Sequence, residues 1–195
     1  MQMNYSWIDS PLVIDVIGDD LWSLLRSTAQ DEAILGFSDE ADSADKSVYL
    51  NNLKHILKGR GHLLVGSIEG QIIVTCLLIQ QSLQTTNHLA ELQKGVIANA
   101  YRGKGYLEEA LQRIVIKSKE IGVSRLTLDV REGTVAHKLW SYWGFESFGV
   151  LDDYARHNGK SYRGHFMHQS VDDLERKLSC PKYSKEKTFS NVKSS

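Results

Sequence analysis

Residues 98–106 combine side chains and a spacing that suit phosphate binding. The segment Ala-Asn-Ala-Tyr-Arg-Gly-Lys-Gly-Tyr lies between an extended apolar stretch, residues 89–97, and an amphipathic stretch, residues 107–121. A strand, a basic glycine turn and a helix N-terminus together direct backbone N–H groups and partial positive charge toward solvent. The glycines let a pyrophosphate approach the backbone closely. We therefore predict that this segment binds a phosphate-bearing cofactor.

Two common phosphate loops do not fit the segment. A P-loop requires Ser or Thr after Gly-Lys, whereas Gly103-Lys104 is followed by Gly105. A dinucleotide fingerprint requires a glycine or alanine at the position that Glu108 occupies. The cofactor is therefore neither a P-loop nucleotide nor a dinucleotide of this kind.

The segment resembles the acetyl-CoA loop of the GNAT superfamily of N-acetyltransferases. That loop reads Gln or Arg, two residues, Gly, one residue, then Gly or Ala; this chain matches at Arg102 and Gly105 and departs at Leu107. Residues 90–97 and 126–130 take the places of the family's fourth and fifth strands. Residues 136–145 follow the family pattern Ala-x-x-Leu-Tyr, three residues, Gly-Phe, with Trp140 at the tyrosine position.

The resemblance covers residues 62–170 and looks closest to the branch that acetylates small amine toxins and antibiotics, such as tabtoxin-resistance acetyltransferases. It implies acetyl-CoA as co-substrate, no metal, and direct transfer to a primary amine of a small molecule in a ternary complex. It also implies that Tyr154 and Arg156 line the acceptor pocket. The implied cofactor-binding residues are three on the fourth strand, Gly95, Val96 and Ile97, and six in the loop, Arg102, Gly103, Lys104, Gly105, Tyr106 and Leu107.

Acetylation of an amine requires a general base, because an amine is mostly ammonium near neutral pH. Glu91 is the first candidate: strand alternation places Glu91, Gln93 and Gly95 on one face. Asp129, a carboxylate inside an apolar strand, is the second, and it would orient the amine. The alternatives are a solvated edge residue for Glu91 and, for Asp129, a salt-bridged strand end beside Arg131.

The family often protonates the departing thiolate with a tyrosine, and an indole N–H is not a usable acid. Tyr142 lies two residues after Trp140 and is a substitute candidate, although residues two apart on a helix point in different directions; a packing or surface role is the alternative. Trp140 and Leu107 also motivate a competing hypothesis, a non-catalytic acyl-CoA-binding module. A third hypothesis keeps the enzyme but changes the acyl-CoA donor.

The pattern of elements predicts a single α/β domain with a mixed, mostly antiparallel central sheet and helices on both faces. The predicted strands are residues 12–17, 63–67, 71–79, 89–97, 126–130 and 162–170. The predicted helices are residues 19–30, 44–58, 107–121 and 134–143. Glu69-Gly70 predicts a tight hairpin turn. We place the N-acetyltransferase domain at residues 1–172, and the end of a C-terminal helix and a flexible basic tail at residues 173–195.

The net charge of −1 conceals an acidic body and a basic C-terminal segment. Six carboxylates between the first two helices predict an acidic rim that attracts a cationic amine, or else a solvated loop: Asp31, Glu32, Asp39, Glu40, Asp42 and Asp45. We expect no nucleic-acid partner and no membrane span, and therefore a cytoplasmic protein. The sequence is compatible with a homodimer and does not decide the oligomeric state. Cys76 is expected to be a buried thiol that forms no disulfide with Cys180.

Overall fold

The fold is a seven-stranded sheet covered by helices on both faces. It is known from a computed structural model that describes residues 2–29 and 42–180. The strand order is β1-β2-β3-β4-β5-β7-β6, and every neighbouring pair is antiparallel except β4 and β5. The strands are β1 (Asn4–Ile8), β2 (Gly61–Ile68), β3 (Gln71–Gln80), β4 (Leu89–Ile97), β5 (Arg125–Arg131), β6 (Glu146–His157) and β7 (Lys160–Ser170). The predicted architecture, mixed and mostly antiparallel, is confirmed.

Side-chain caps begin several of the helices. Asp42 and Asp45 form a capping box at the start of α2 (Ser43–Leu57). Thr134 caps α4 (Val135–Tyr142), and Ser170 caps α5 (Val171–Leu178). The remaining helices are α1 (Ile14–Ala29) and α3 (Tyr106–Glu120).

The predicted strand at residues 12–17 is wrong. Pro11 begins a short 3-10 helix that leads directly into α1. Proline is favoured at the first helical position, and Leu12 and Val16 are exposed rather than alternating into a core. The first strand is instead β1, which pairs with β2.

The prediction also lacked β6, the strand at the far edge of the sheet. β6 joins β7 through Asn158-Gly159, and both turn residues have positive φ, as in a tight hairpin turn. The predicted turn at Glu69-Gly70 is confirmed, again with both φ values positive.

Two apolar cores lie on opposite faces of the sheet. One packs α3 and α5 against the strands and includes Leu92, Leu111 and Leu126; the other packs α1 and α2 and includes Leu25 and Val96. Cys76 is buried in the α3 core, and both cysteines are free, as predicted. None of the helices in the described part of the chain is long and apolar enough to cross a membrane.

Candidate active site

The sheet opens at the one parallel pair of strands. β4 and β5 pair only at Leu89 with Arg125, Ala90 with Leu126 and Glu91 with Thr127. Beyond these pairs the two strands separate, so the later residues of β4 have no ladder partner on β5 within the described chain. Unpaired backbone N–H and C=O groups at such an edge are available to a ligand. Glu91 stands at the apex of the gap, and Asp129 lies on its β5 side.

A bulge interrupts β4 inside this gap. Gln93 pairs with Leu77 and Val96 pairs with Thr75, so Lys94 and Gly95 together oppose Cys76. Lys94 has φ 50°, and Thr75 Oγ1 donates a hydrogen bond to its carbonyl oxygen at 3.3 Å. The extra residue reverses the alternation.

The predicted common face of Glu91, Gln93 and Gly95 is therefore wrong. Glu91 pairs with Ile79 and Gln93 with Leu77, and both partners belong to the α1 and α2 side. A Cβ atom on Gly95 would instead lie 3.8 Å from Cys76 Sγ and 3.8 Å from Trp140 Cζ2, on the α3 side. Glu91 thus reaches the gap from one face and Gly95 from the other.

The basic glycine turn leads from β4 into α3. Gly103 has φ 72° and Gly105, the N-cap of α3, has φ 88°; side chains at either position would meet open space. Among the described residues, no side chain caps this helix start, so its first N–H groups point outward. Arg102 Nε donates to the carbonyl oxygen of Ile97 at 3.2 Å and ties the turn to the end of β4.

Two further loop residues have defined positions. The Lys104 ammonium lies 4.9 Å from the centre of the Tyr101 ring. Leu107 is half-buried and packs against the α3 core rather than standing over the turn. Leu107 is bulky where the family has a small residue, but because it packs into the core it leaves the N-terminus of α3 open.

Asp129 is held by a neighbour from the far edge of the sheet. The Tyr154 hydroxyl donates a hydrogen bond to Asp129 Oδ2. Burial, then the hydrogen bond and charge of Asp129 and the charge of Glu91, raise the pKa of Tyr154. The structure therefore brings together three residues singled out in the sequence, Glu91, Asp129 and Tyr154.

Lys94 is the member of this group that sequence analysis missed. Lys94 is half-buried; burial lowers the pKa of Lys94, and the Asp129 carboxylate opposes that shift. Strand alternation assigned Lys94 to the face away from Glu91, and only the bulge, which depends on the pairing with β3, changes its surroundings. No pattern within β4 itself signals it.

Arg156 is exposed and is engaged within β6. Its guanidinium donates to both carboxylate oxygens of Asp153, and Ser161 Oγ donates to Asp153 Oδ1 at 2.6 Å. These hydrogen bonds hold the pKa of Asp153 well below its usual range. Arg156 therefore binds Asp153 of its own strand rather than the Asp129 group.

Tyr142 and Trp140 point to different surroundings on α4. The Tyr142 ring lies 5.7 Å from the Lys177 ammonium of α5 and packs edge-on against Trp143. Trp140 is half-buried between Gly95 and Phe145, with ring centres 5.0 Å apart in the Trp140–Phe145 pair. The structure thus places Trp140, and not Tyr142, beside the β4 bulge.

Two predicted features fall wholly or partly outside the described residues. Of the six carboxylates of the predicted acidic rim, Asp42 and Asp45 are described, and they serve the capping box of α2. The other four, at residues 31–40, and the basic tail at residues 181–195 lie outside the described residues.

The sequence matches the profile of one protein family across residues 21–145, more than half of the chain; that family is described as the acetyltransferase (GNAT) family. A comparison with curated proteins found no match.

Solved structures that share the fold include three described as acetyltransferases. A candidate phosphinothricin N-acetyltransferase is 18% identical with a TM-score of 0.66, and the match covers 87% of this chain and 98% of that one. A candidate acetyltransferase from Salmonella typhimurium, solved with its cofactor acetyl-CoA, is 14% identical with a TM-score of 0.65, covering 88% and 95%. The ribosomal-protein-S18-alanine N-acetyltransferase from Escherichia coli is 14% identical with a TM-score of 0.63, covering 87% and 94%.

Proposed function

Because the chain belongs to the GNAT family of acetyltransferases, we propose that it transfers an acetyl group from acetyl-CoA to a primary amine of a small molecule. Transfer is direct, within a ternary complex. One observation carries the proposal: a carboxylate pair, Glu91 and Asp129, flanks a gap in the sheet that continues into an uncapped helix N-terminus.

The residues around the gap fit coenzyme A. Gly103 and Gly105 adopt left-handed φ values that disfavour any side chain, and the space above both is open to a pyrophosphate. The edge of β4 at Gly95 and Val96, beyond its last pair with β5, offers backbone groups to the amides of the pantetheine arm. At Ile97 the carbonyl oxygen already accepts a hydrogen bond from Arg102, which leaves the N–H group. When bound, acetyl-CoA supplies an activated thioester, and Arg102, Lys104 and the first N–H groups of α3 would hold its phosphates.

Glu91 is the proposed general base, acting directly or through water. It stands where β4 and β5 separate and is half-buried, so it meets the gap without being sealed from an acceptor. Asp129 would hold the ammonium form of the amine before the proton leaves. A positioned base contributes typically about 10²–10⁴-fold in rate.

The thiolate is proposed to leave without a tyrosine acid. Trp140 is the aromatic residue beside the bulge, and Tyr142 faces α5, so neither supplies an acidic hydroxyl at the gap. A thiol pKa of about 8.5 makes a thiolate a tolerable leaving group. The reaction would be slowed rather than abolished.

The acceptor is proposed to be a small cationic amine of the kind found in toxins and antibiotics. The resemblance in residues 90–91, 126–133 and 153–160 supports this choice, and the name of the phosphinothricin N-acetyltransferase neighbour is compatible with it. The name of the ribosomal-protein neighbour makes a protein N-terminus the acceptor to test against it.

Thiol release measures the activity directly. Purified protein with acetyl-CoA is supplied with amino acids, aminoglycosides, polyamines and a peptide with an N-terminal alanine. We expect release with at least one small amine, and at least about 10²-fold slower turnover in Glu91→Gln with nearly unchanged CoA binding. Glu120→Gln, at the far end of α3, is the matched control and should turn over normally.

The competing function is a non-catalytic acyl-CoA-binding module, and Trp140 beside Gly95 is the observation that favours it. CoA that raises the Tm while no amine provokes thiol release would establish that module. If the acyl donor is not acetyl-CoA, thiol release should occur with a longer acyl-CoA and not with acetyl-CoA.

A further inference from the structure

We propose that Tyr154 is a positioning residue that fixes the Asp129 carboxylate at the acceptor site. Gly164, which has no side chain, leaves the space through which the Tyr154 ring crosses β7 to reach Asp129. The inference rests on the proposed function, because it assigns Asp129 to the acceptor amine. Nothing in the sequence pattern links these three residues, which lie on β6, β7 and β5.

A bulge in β6 aims Tyr154. Leu151 pairs with Gly164 and Ala155 pairs with Tyr162, so residues 152–154 oppose one residue of β7. Asp153 at the centre of the bulge has φ 57°, a left-handed conformation that aspartate tolerates better than most residues. Arg156 and Ser161 bind the Asp153 carboxylate and hold this conformation.

Gly164 gives the Tyr154 ring its path across β7. A Cβ atom at Gly164 would overlap the ring, so any other residue there would displace Tyr154. Gly164 has no positive φ, and therefore the contact, not the backbone conformation, calls for glycine. The ring also packs edge-on against Phe166, with centres 6.3 Å apart.

The hydroxyl then meets Asp129, which pairs with Phe166 in the β5–β7 ladder. The charged groups that face this pair come from one strand, β4: Lys94 acts on Asp129, and Glu91 acts on Tyr154. The Tyr154 hydroxyl stays protonated because its pKa is raised, so it remains a donor to the carboxylate. A donor of this kind holds the Asp129 carboxylate in a fixed orientation.

The test compares Tyr154→Phe with wild-type protein in two measurements. The carboxyl ¹³C shift of Asp129 at neutral pH, assigned by its loss in Asp129→Asn, should change in Tyr154→Phe, because the carboxylate loses its hydrogen-bond donor. The value of kcat/KM should fall roughly tenfold, mainly through a higher KM for the amine that Asp129 is proposed to hold. An unchanged Asp129 carboxyl shift in folded Tyr154→Phe would overturn the inference.

Tyr162→Phe is the matched control. Tyr162 lies on the same hairpin and packs under the Arg131 guanidinium, 4.4 Å from ring centre to Cζ. Removal of its hydroxyl should leave both measurements unchanged. A purely structural role for Tyr154 would lower the Tm without moving the Asp129 carboxyl ¹³C shift.

Two further variants keep the inference testable should Tyr154→Phe fold poorly. Gly164→Ala should change the Asp129 carboxyl ¹³C shift in the same direction, because it displaces the Tyr154 ring. Asp129→Asn should lower the Tyr154 pKa, followed by the ring ¹³C shift, and an unchanged value contradicts the coupling. The NMR measurements need no turnover, so a wild-type protein that acetylates no amine would refute the proposed function separately.

Discussion

Replacement of Gly105 by alanine separates the phosphate-binding role of the glycine turn from its backbone geometry. Gly105 has φ 88° and open space above it, so an alanine Cβ would meet no clash. The left-handed region costs an L-residue roughly 1–2 kcal/mol, and the stiffer unfolded chain offsets about 0.4–1 kcal/mol of that. The net loss of about 1 kcal/mol corresponds to a Tm lower by about 2–4 °C.

The expected effect on CoA binding is larger. A Cβ over the helix N-terminus would weaken one charge-assisted hydrogen bond to a phosphate, worth about 1.5–3 kcal/mol, so the Kd should rise at least tenfold. At a CoA concentration of about 100 times the wild-type Kd, ligand stabilisation is near 2.7 kcal/mol, and a tenfold weaker Kd halves it to about 1.4 kcal/mol.

Thermal melting with and without CoA is the assay, and Gly122→Ala is its matched control. Gly122 follows α3 at the opposite end from the turn, with φ 76° and open space for 4 Å around the place that a Cβ atom would take. Both variants should lose similar intrinsic stability, and only Gly105→Ala should lose half of the CoA-induced shift. Equal CoA-induced shifts in the two variants would refute the phosphate-binding role.

Three other outcomes are expected. Ser118→Ala should leave stability unchanged or raise it by up to about 1 kcal/mol in denaturant unfolding, because the Ser118 hydroxyl is buried with no hydrogen-bond partner among the described residues. Trp140→Tyr should raise kcat in the thiol-release assay, because it puts an acidic hydroxyl beside Gly95; an unchanged or lower kcat would mean that protonation of the thiolate does not limit turnover. In native protein a thiol reagent should react with half-buried Cys180 and spare Cys76, since burial raises the pKa of the Cys76 thiol to about 12; two fast-reacting thiols would contradict the buried assignment.

The middle of the fold could be predicted from sequence because its signals are local. Hydrophobic patterns identify β4, α3 and β5, and the glycines of the turn mark the boundary between strand and helix. The same reasoning failed at residues 12–17, where a short apolar run suits a strand or a helix equally. The stretch became a helix because Pro11 begins it.

The missed features of the site depend on pairings between distant segments. The bulge at Lys94 arises from the register between β3 and β4, and the approach of Tyr154 to Asp129 needs a second bulge and a glycine on β7. Asn158-Gly159 was a usable signal for the β6–β7 hairpin, but the paired acids Asp152 and Asp153 obscured the alternation of β6. The candidate residues were therefore predictable by type, and their arrangement was not.

Because the ladder between β4 and β5 is short, the sheet consists of two parts, which we call plates, with few backbone hydrogen bonds between them. Among the described residues, the ladder that joins β1–β4 to β5–β7 has three residue pairs, and just before it the His88 carbonyl oxygen accepts from the N–H groups of Ser124 and Arg125. Resistance to shear across this seam falls mainly on side chains of the shared core, where Leu92 of one plate and Leu126 and Met167 of the other belong to the same cluster under α3. A ligand bound between β4 and β5 would add hydrogen bonds along the open edge of β4 and so connect the two parts of the sheet. The stiffness of the whole sheet would then depend on whether the gap is occupied.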